Sequence, residues 1–256
     1  MELKYQVTGS GPLVVLVHGI TESRETWKPL VAPIAGIGRT VLSLDLRGHG
    51  ESAPGDVYDP ITMAADVHET LVAAGLSGTD PSPLMIGHSM GGVVVSAYAA
   101  MFPVRGVVNV DQPLRLAGFK EGLSQLEPML KGDTESFTGA IDMLFQSMMG
   151  ELTGAEAARV SALRRPRQAV VLGIWGTVFE SSPQELDAQV EALTGNVTAP
   201  YHSLHGIDPG DDYTNWLVQA VPTASVEVWP GLGHYPHLVQ QERFVDLVAG
   251  LDRQAH

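Results

Sequence analysis

The stretch Leu13-Val14-Val15-Leu16-Val17 narrows the possible folds more than any other part of this chain. Five consecutive apolar residues, closed off by Gly11-Pro12 before and His18-Gly19 after, read as a strand buried on both faces of a sheet. A sheet with one wet face would demand alternation instead. Thr40-Val41-Leu42-Ser43-Leu44, Leu84-Met85-Ile86 and Gly106 to Val110 are the next strand candidates. Helical spacing falls between these runs, near Trp27 to Ala35, Ile61 to Ala74 and Val93 to Met101. Strands alternating with helices predict βαβ units and a mostly parallel α/β sheet flanked by helices. Leu3 to Val7 alternates and predicts an antiparallel edge strand.

From Gln112 to Val197 the strand signal stops. Phe137, Ile141, Leu144, Phe145 and Met148 recur at helical spacing, with Gly150 as a stop. Ser182-Pro183-Gln184-Glu185 reads as a capping box ahead of the apolar positions Leu186, Val190 and Leu193. Strands resume at Tyr201 to His205 and Ala224 to Trp229, before a closing helix from Leu238 to Leu251. The expected layout is a core of residues 1–111 and 198–256, interrupted by a helical cap over 112–197.

Composition then limits the chemistry. A chain of 256 residues with 44% hydrophobic and 17% charged residues can build a full core. It has no cysteine, which removes disulfides, thiolate nucleophiles and cysteine-ligated zinc. A net charge of −14 argues against nucleic acid or an anionic membrane as partner. No apolar run approaches the ~18 residues of a membrane span. Met1 to Gln6 lacks the character of a signal peptide. The expectation is a cytoplasmic protein that acts on a small molecule without cofactor or metal.

The segment richest in chemistry is Leu84-Met85-Ile86-Gly87-His88-Ser89-Met90-Gly91-Gly92. Gly87-x-Ser89-x-Gly91, after an apolar strand and before a helical stretch, fits a sharp turn that lifts a serine hydroxyl to the sheet's end. A glycine-rich turn with an incidental serine is the plainer alternative, and the setting favours the nucleophile. Serine needs a base, and His234 in Gly231-Leu232-Gly233-His234 follows a strand, where active-site groups of open α/β sheets gather. His237 lies at i+3, but nothing nearby completes a metal site. His18, His49 and His88 sit within turn motifs and read as packing residues.

The base needs an acid to hold its tautomer. Asp208, in His205-Gly206-Ile207-Asp208-Pro209, is the first choice, Asp111 after the fourth apolar strand the alternative, and Asp211 and Asp212 come behind them. For the oxyanion, the backbone amides of Met90 and Ile20 are the expected donors.

Taken in order, Gly9-Ser10-Gly11-Pro12, His18-Gly19, Asp45-x-Arg47-Gly48-His49-Gly50-x-Ser52, the Ser89 turn, the late aspartate and Gly233-His234 resemble the α/β-hydrolase superfamily over most of the chain. The resemblance implies an eight-stranded, mostly parallel sheet with a helical cap between strands six and seven. It also implies a Ser89–Asp208–His234 triad, oxyanion amides at Ile20 and Met90, and a purely structural Asp45–Ser52 turn. The family's acid commonly falls three residues after the glycine closing strand seven; that position here is Pro209, with Asp208 one earlier.

Haloalkane dehalogenases and epoxide hydrolases resemble this architecture but attack with a carboxylate where this chain has Ser89. The serine points to acyl transfer on a small, largely apolar ester or lactone. Carbon–carbon hydrolases, cofactor-free haloperoxidases and acyltransferases share such a triad, and some proteins of the fold act as small-molecule receptors. Met129, Met143, Phe145, Met148, Trp175 and Phe179 are candidates for the pocket wall, and Arg115 and Arg164 for local recognition of an anion.

Overall fold

A computed structural model describes the backbone of residues 1–254 and the side chains through Leu251. Seven strands form one sheet in the order β1-β3-β2-β4-β5-β6-β7. They are β1 (Tyr5–Gly9), β2 (Leu13–Val17), β3 (Thr40–Leu44), β4 (Leu84–His88), β5 (Gly106–Val110), β6 (Tyr201–His205) and β7 (Ala224–Val228). Only β1 runs antiparallel, on the edge beside β3, while the other pairings are parallel. The sheet thus holds seven strands among the described residues, one fewer than the eight expected. Every residue of β2, β4 and β5 is buried, as central strands covered on both faces require.

Helices cover both faces. On one lie α2 (Pro60–Ala73) and α3 (Met90–Met101); on the other α1 (Lys28–Gly36) and the closing helix α11 (Gln241–Gln254). Local chemistry sets their starts. Asp59 caps α2 by accepting from Thr62 N at 2.9 Å, and Pro60 fills the first turn, where no backbone donor is needed.

Between β5 and β6 the chain makes five helices: α4 (Ala117–Leu130), α5 (Thr134–Ser147), α6 (Gly154–Leu163), α7 (Gln168–Glu180) and α8 (Pro183–Thr194). The capping box forms as read: Glu185 N donates to Ser182 Oγ at 3.3 Å, and Ser182 N to Glu185 Oε2 at 2.7 Å. Phe137, Ile141, Trp175 and Leu186 from these helices join Met85, Val94 and Val107 in one buried cluster. At ~1.5–3 kcal/mol per fully buried large apolar side chain, that shared cluster holds the helical segment against the sheet. After β6 come α9 (Asp211–Ala220) and, past β7, the short α10 (Pro236–Val239). The closing helix expected at Leu238 to Leu251 is therefore split between α10 and α11 at Gln240.

Candidate active site

Parallel strands deliver their carboxyl ends to one edge of the sheet, and the turns leaving β2, β4, β5, β6 and β7 meet there. Ser89 sits between β4 and α3 at φ 52°, ψ −129°, a backbone state that L residues rarely adopt. The turn is possible because its neighbours are glycines. A Cβ on Gly87 would lie 2.1 Å from Gly91 O, and one on Gly91 would lie 2.3 Å from Val17 O. The serine thereby stands at the amino end of α3, where the helix's free N–H groups favour negative charge.

The first turn after β2 presses against it. A Cβ on Gly19 would come within 3.0 Å of Ser89 Cβ. Gly19 N donates to Glu22 Oε2 at 3.2 Å. Ile20, Ser89 and Met90 all line the same cavity. The Asp45–Ser52 turn is bolted internally: Asp45 accepts from Arg24 N at 2.7 Å and Glu51 N at 2.9 Å, and Ser52 Oγ donates to Asp45 O. His18 belongs to the same scaffold, its Nε2 accepting from Leu46 N at 3.0 Å.

His234 is buried on the loop after β7, its backbone N donating to Met148 O at 2.8 Å in the helical segment. Its Nδ1 lies 2.7 Å from Asp111 Oδ2, while Nε2 has no hydrogen-bond partner among the described residues. The acid beside His234 is thus Asp111, which corrects the expectation of Asp208. Asp111 is buried, and its Oδ1 accepts from Gly206 N at 2.8 Å and Ile207 N at 3.2 Å. Asp208 is exposed on the following loop, where its Oδ1 accepts from Gly210 N at 2.8 Å. Asp211 and Asp212 open α9, where negative charge suits the helix's amino end.

Burial would push Asp111 upward, but the hydrogen bond and charge of His234 and the two amides hold it below the ordinary carboxylate range. Burial, aided by the charge of His88, lowers His234 despite the opposing pull of Asp111. The result is a neutral imidazole with Nδ1–H turned toward a carboxylate and Nε2 free to take a proton.

A cavity of about 410 Å³ opens onto Ser89, Asp111 and His234. Of the side chains expected in its wall, Phe145, Met148 and Trp175 are there; Met129, Met143 and Phe179 are not. Helix faces explain the division. Leu144 and Phe145 on the inner face of α5 and Met148 at its C-cap face the cavity, whereas Met143 points outward and is 57% exposed. On α7, Ile174, Trp175 and Val178 face inward, while Phe179 lies under the Lys131 ammonium, 5.3 Å from the ring centre. Phe119, Tyr58 and Met63 also line the wall and were not among the residues expected there. The inward faces of α5 and α7 could have been found from their i, i+1, i+4 pattern. Arg115 lines the cavity but is paired with Asp187 at 3.1 Å, and Arg164 is buried away from it. No group of metal-ligating side chains occurs among the described residues.

A strained serine corner, with a histidine–carboxylate pair delivered by later strands to the same sheet edge, defines the α/β-hydrolase architecture. The chain belongs to the alpha/beta hydrolase family, whose model matches residues 14–247. Protein phosphatase methylesterase 1 of Mus musculus is 31% identical over 172 residues, 64% of this chain but only 44% of that protein. The match therefore spans less than half the length of that curated relative. Bifunctional epoxide hydrolase 2 of Sus scrofa is 36% identical over 118 residues, 44% of this chain and 20% of its own. Among solved structures, a hydrolase from Pseudomonas aeruginosa PA01 superposes with a TM-score of 0.78 at 19% identity, covering 97% of this chain and 93% of that one. The esterase RhEst1 from Rhodococcus sp. ECU1013 gives 0.74 at 24% identity over 100% of both chains. These two share the fold.

Proposed function

We propose that the protein is a serine hydrolase that cleaves a small, largely apolar carboxylic ester or lactone through an acyl-enzyme, with the five helices α4 to α8 acting as its cap. The reading rests chiefly on one observation: the strained Ser89 corner and the buried His234–Asp111 pair share the wall of a mostly apolar cavity. His234 takes the Ser89 proton as the hydroxyl attacks the carbonyl, and Asp111 stabilises the imidazolium that forms. The amides of Ile20 and Met90 receive the oxyanion. His234 then protonates the leaving alcohol, and water, activated by the same histidine, releases the acid. A cavity of about 410 Å³ suits a small molecule, and its apolar lining matches an uncharged acyl or alcohol group.

The test is hydrolysis of a series of chromogenic esters and of lactones of matched size by the full chain and by Ser89→Ala. The substitution is expected to reduce turnover by at least about 10³-fold, and an organophosphonate should label the wild type at Ser89. Equal turnover by both proteins would overturn the reading.

A further inference from the structure

His88 directly precedes Ser89, is buried at the end of β4, and has one polar neighbour at each ring nitrogen. Nε2 lies 2.8 Å from the carbonyl oxygen of His234, and Nδ1 lies 3.3 Å from Glu22 Oε2. A carbonyl oxygen only accepts. The Glu22 carboxylate also behaves as an acceptor, since Gly19 N reaches Oε2 and the Tyr235 hydroxyl reaches Oε1 at 2.9 Å. A neutral imidazole carries a single N–H, so either tautomer would aim a lone pair at an oxygen. With Glu22 ionised, only the imidazolium satisfies both contacts.

The charge balance agrees. Glu22 is 3% exposed, and a buried carboxylate requires a counter-charge. Burial opposes its ionisation, yet the contact with His88 and the nearby Arg164 guanidinium hold it far below the usual carboxylate range. The groups facing His88 are His18 and Glu22 from the turn after β2, His234 and Tyr235 from the loop after β7, and His237 from α10. Arg164, at the end of α6, joins through the Tyr235 hydroxyl, to which it donates. His237, whose ring centre is 4.7 Å from that of His88, is pushed well down by burial and adds no competing charge.

We infer that His88 is held as a doubly donating imidazolium, clamped between Glu22 and the backbone of His234, and that it serves as a positioning residue for the base. Through Glu22 it ties the turn carrying Ile20 to the loop carrying His234. Its charge, with ring centres 4.7 Å apart, also repels a second proton from His234 and keeps that ring ready to accept one from Ser89. The catalytic consequence rests on the proposed serine mechanism; the protonation state does not.

The experiment is ¹⁵N–¹H NMR of the histidine rings in the labelled full chain at pH 7.5, with His88 assigned by its loss in His88→Gln. Both ring nitrogens of His88 should carry a proton, and a single N–H overturns the inference. In Glu22→Gln one nitrogen should become bare; retention of both protons would remove Glu22 as the partner and overturn the clamp. In His88→Gln the His234 titration should move up by about one pH unit, and the acid limb of ester kcat/KM with it. A lower kcat with an unmoved His234 titration would leave His88 a packing residue only. Because the ring signals are read without turnover, their success alongside absent ester hydrolysis would refute the reaction and not the clamp.

Discussion

Two neighbouring strands, β5 and β6, run parallel with Val110 beside Leu204, and each leads into an aspartate at the same edge of the sheet. Asp111 comes immediately after β5, at φ 52°, with one carboxylate oxygen on His234 and the other on two amides. Asp208 comes three residues after β6, exposed, and closes its own turn through Gly210 N. The difference lies in supply and demand for hydrogen bonds. A buried carboxylate can stay charged only where donors surround it, and the donors at Asp111 are the backbone amides of the β6 corner itself. That corner supports the acid and does not provide it.

The largest effect should separate the two aspartates directly. Asp111→Asn presents an amide to His234 Nδ1, loses the charge that stabilises the imidazolium and leaves the ring free to adopt the wrong tautomer. We expect kcat/KM to fall by about 10³–10⁴-fold on whichever ester is hydrolysed best. Asp208→Asn keeps an oxygen that can accept from Gly210 N, and its rate should stay within about threefold of wild type. Steady-state kinetics on the two variants decide the matter, and the reverse ranking would break the comparison.

A second effect concerns how dry the junction of the two corners is. His205, the last residue of β6, is fully buried, with Nε2 2.8 Å from Ser203 Oγ and Nδ1 4.0 Å from Asp111 Oδ1. Burial pushes it down to about 4 from an ordinary 6.5, although Asp111 pulls the other way. The unfolded chain therefore takes up a proton near pH 6.5 that the folded protein refuses until about 4. Stability should be level above pH 6.5 and should fall as pH drops through that window. His49, lowered to about 3 by burial, adds to the same slope. In His205→Gln the stability difference between pH 7 and pH 4.5, from urea unfolding, should shrink by about 2–3 kcal/mol. An unchanged difference would mean that His205 is hydrated or charged, and that the β6 corner is less sheltered than its geometry implies.

Much of this was legible in the sequence because it depends on local rules. Unbroken apolar runs gave the buried strands, Gly87 and Gly91 gave the serine corner, and Ser182 to Glu185 gave a helix start. The acid was not legible to the same degree. Asp111 and Asp208 both follow strands, both give the chain order serine, aspartate, histidine, and both stand in turn-like contexts. What separates them is the approach of Gly206 and Ile207 N–H groups some 95 residues away in sequence, which depends on how β5 and β6 pair. The pocket wall split for a similar reason. Composition named Met143 and Phe179 alongside Phe145 and Trp175, but only helix phase distinguishes the inward set. The Glu22–His88 contact is likewise a meeting of two loops that no single segment announces.

The smallest effect tests what the β6 corner does besides holding Asp111. Ile207 donates its amide to the acid, yet its side chain turns outward, 48% exposed, onto the cavity wall. Ile207→Ala keeps the amide and removes only apolar surface. If the corner divides its roles in this way, KM for the bulkier apolar esters should rise about two- to fivefold, with less change for acetate esters. The acid limb of the pH–rate profile should not move, because the groups around His234 and Asp111 are untouched. A shifted limb would mean that the side chain positions the loop and so acts through the acid. A KM change that ignores acyl length would place the substrate elsewhere in the cavity.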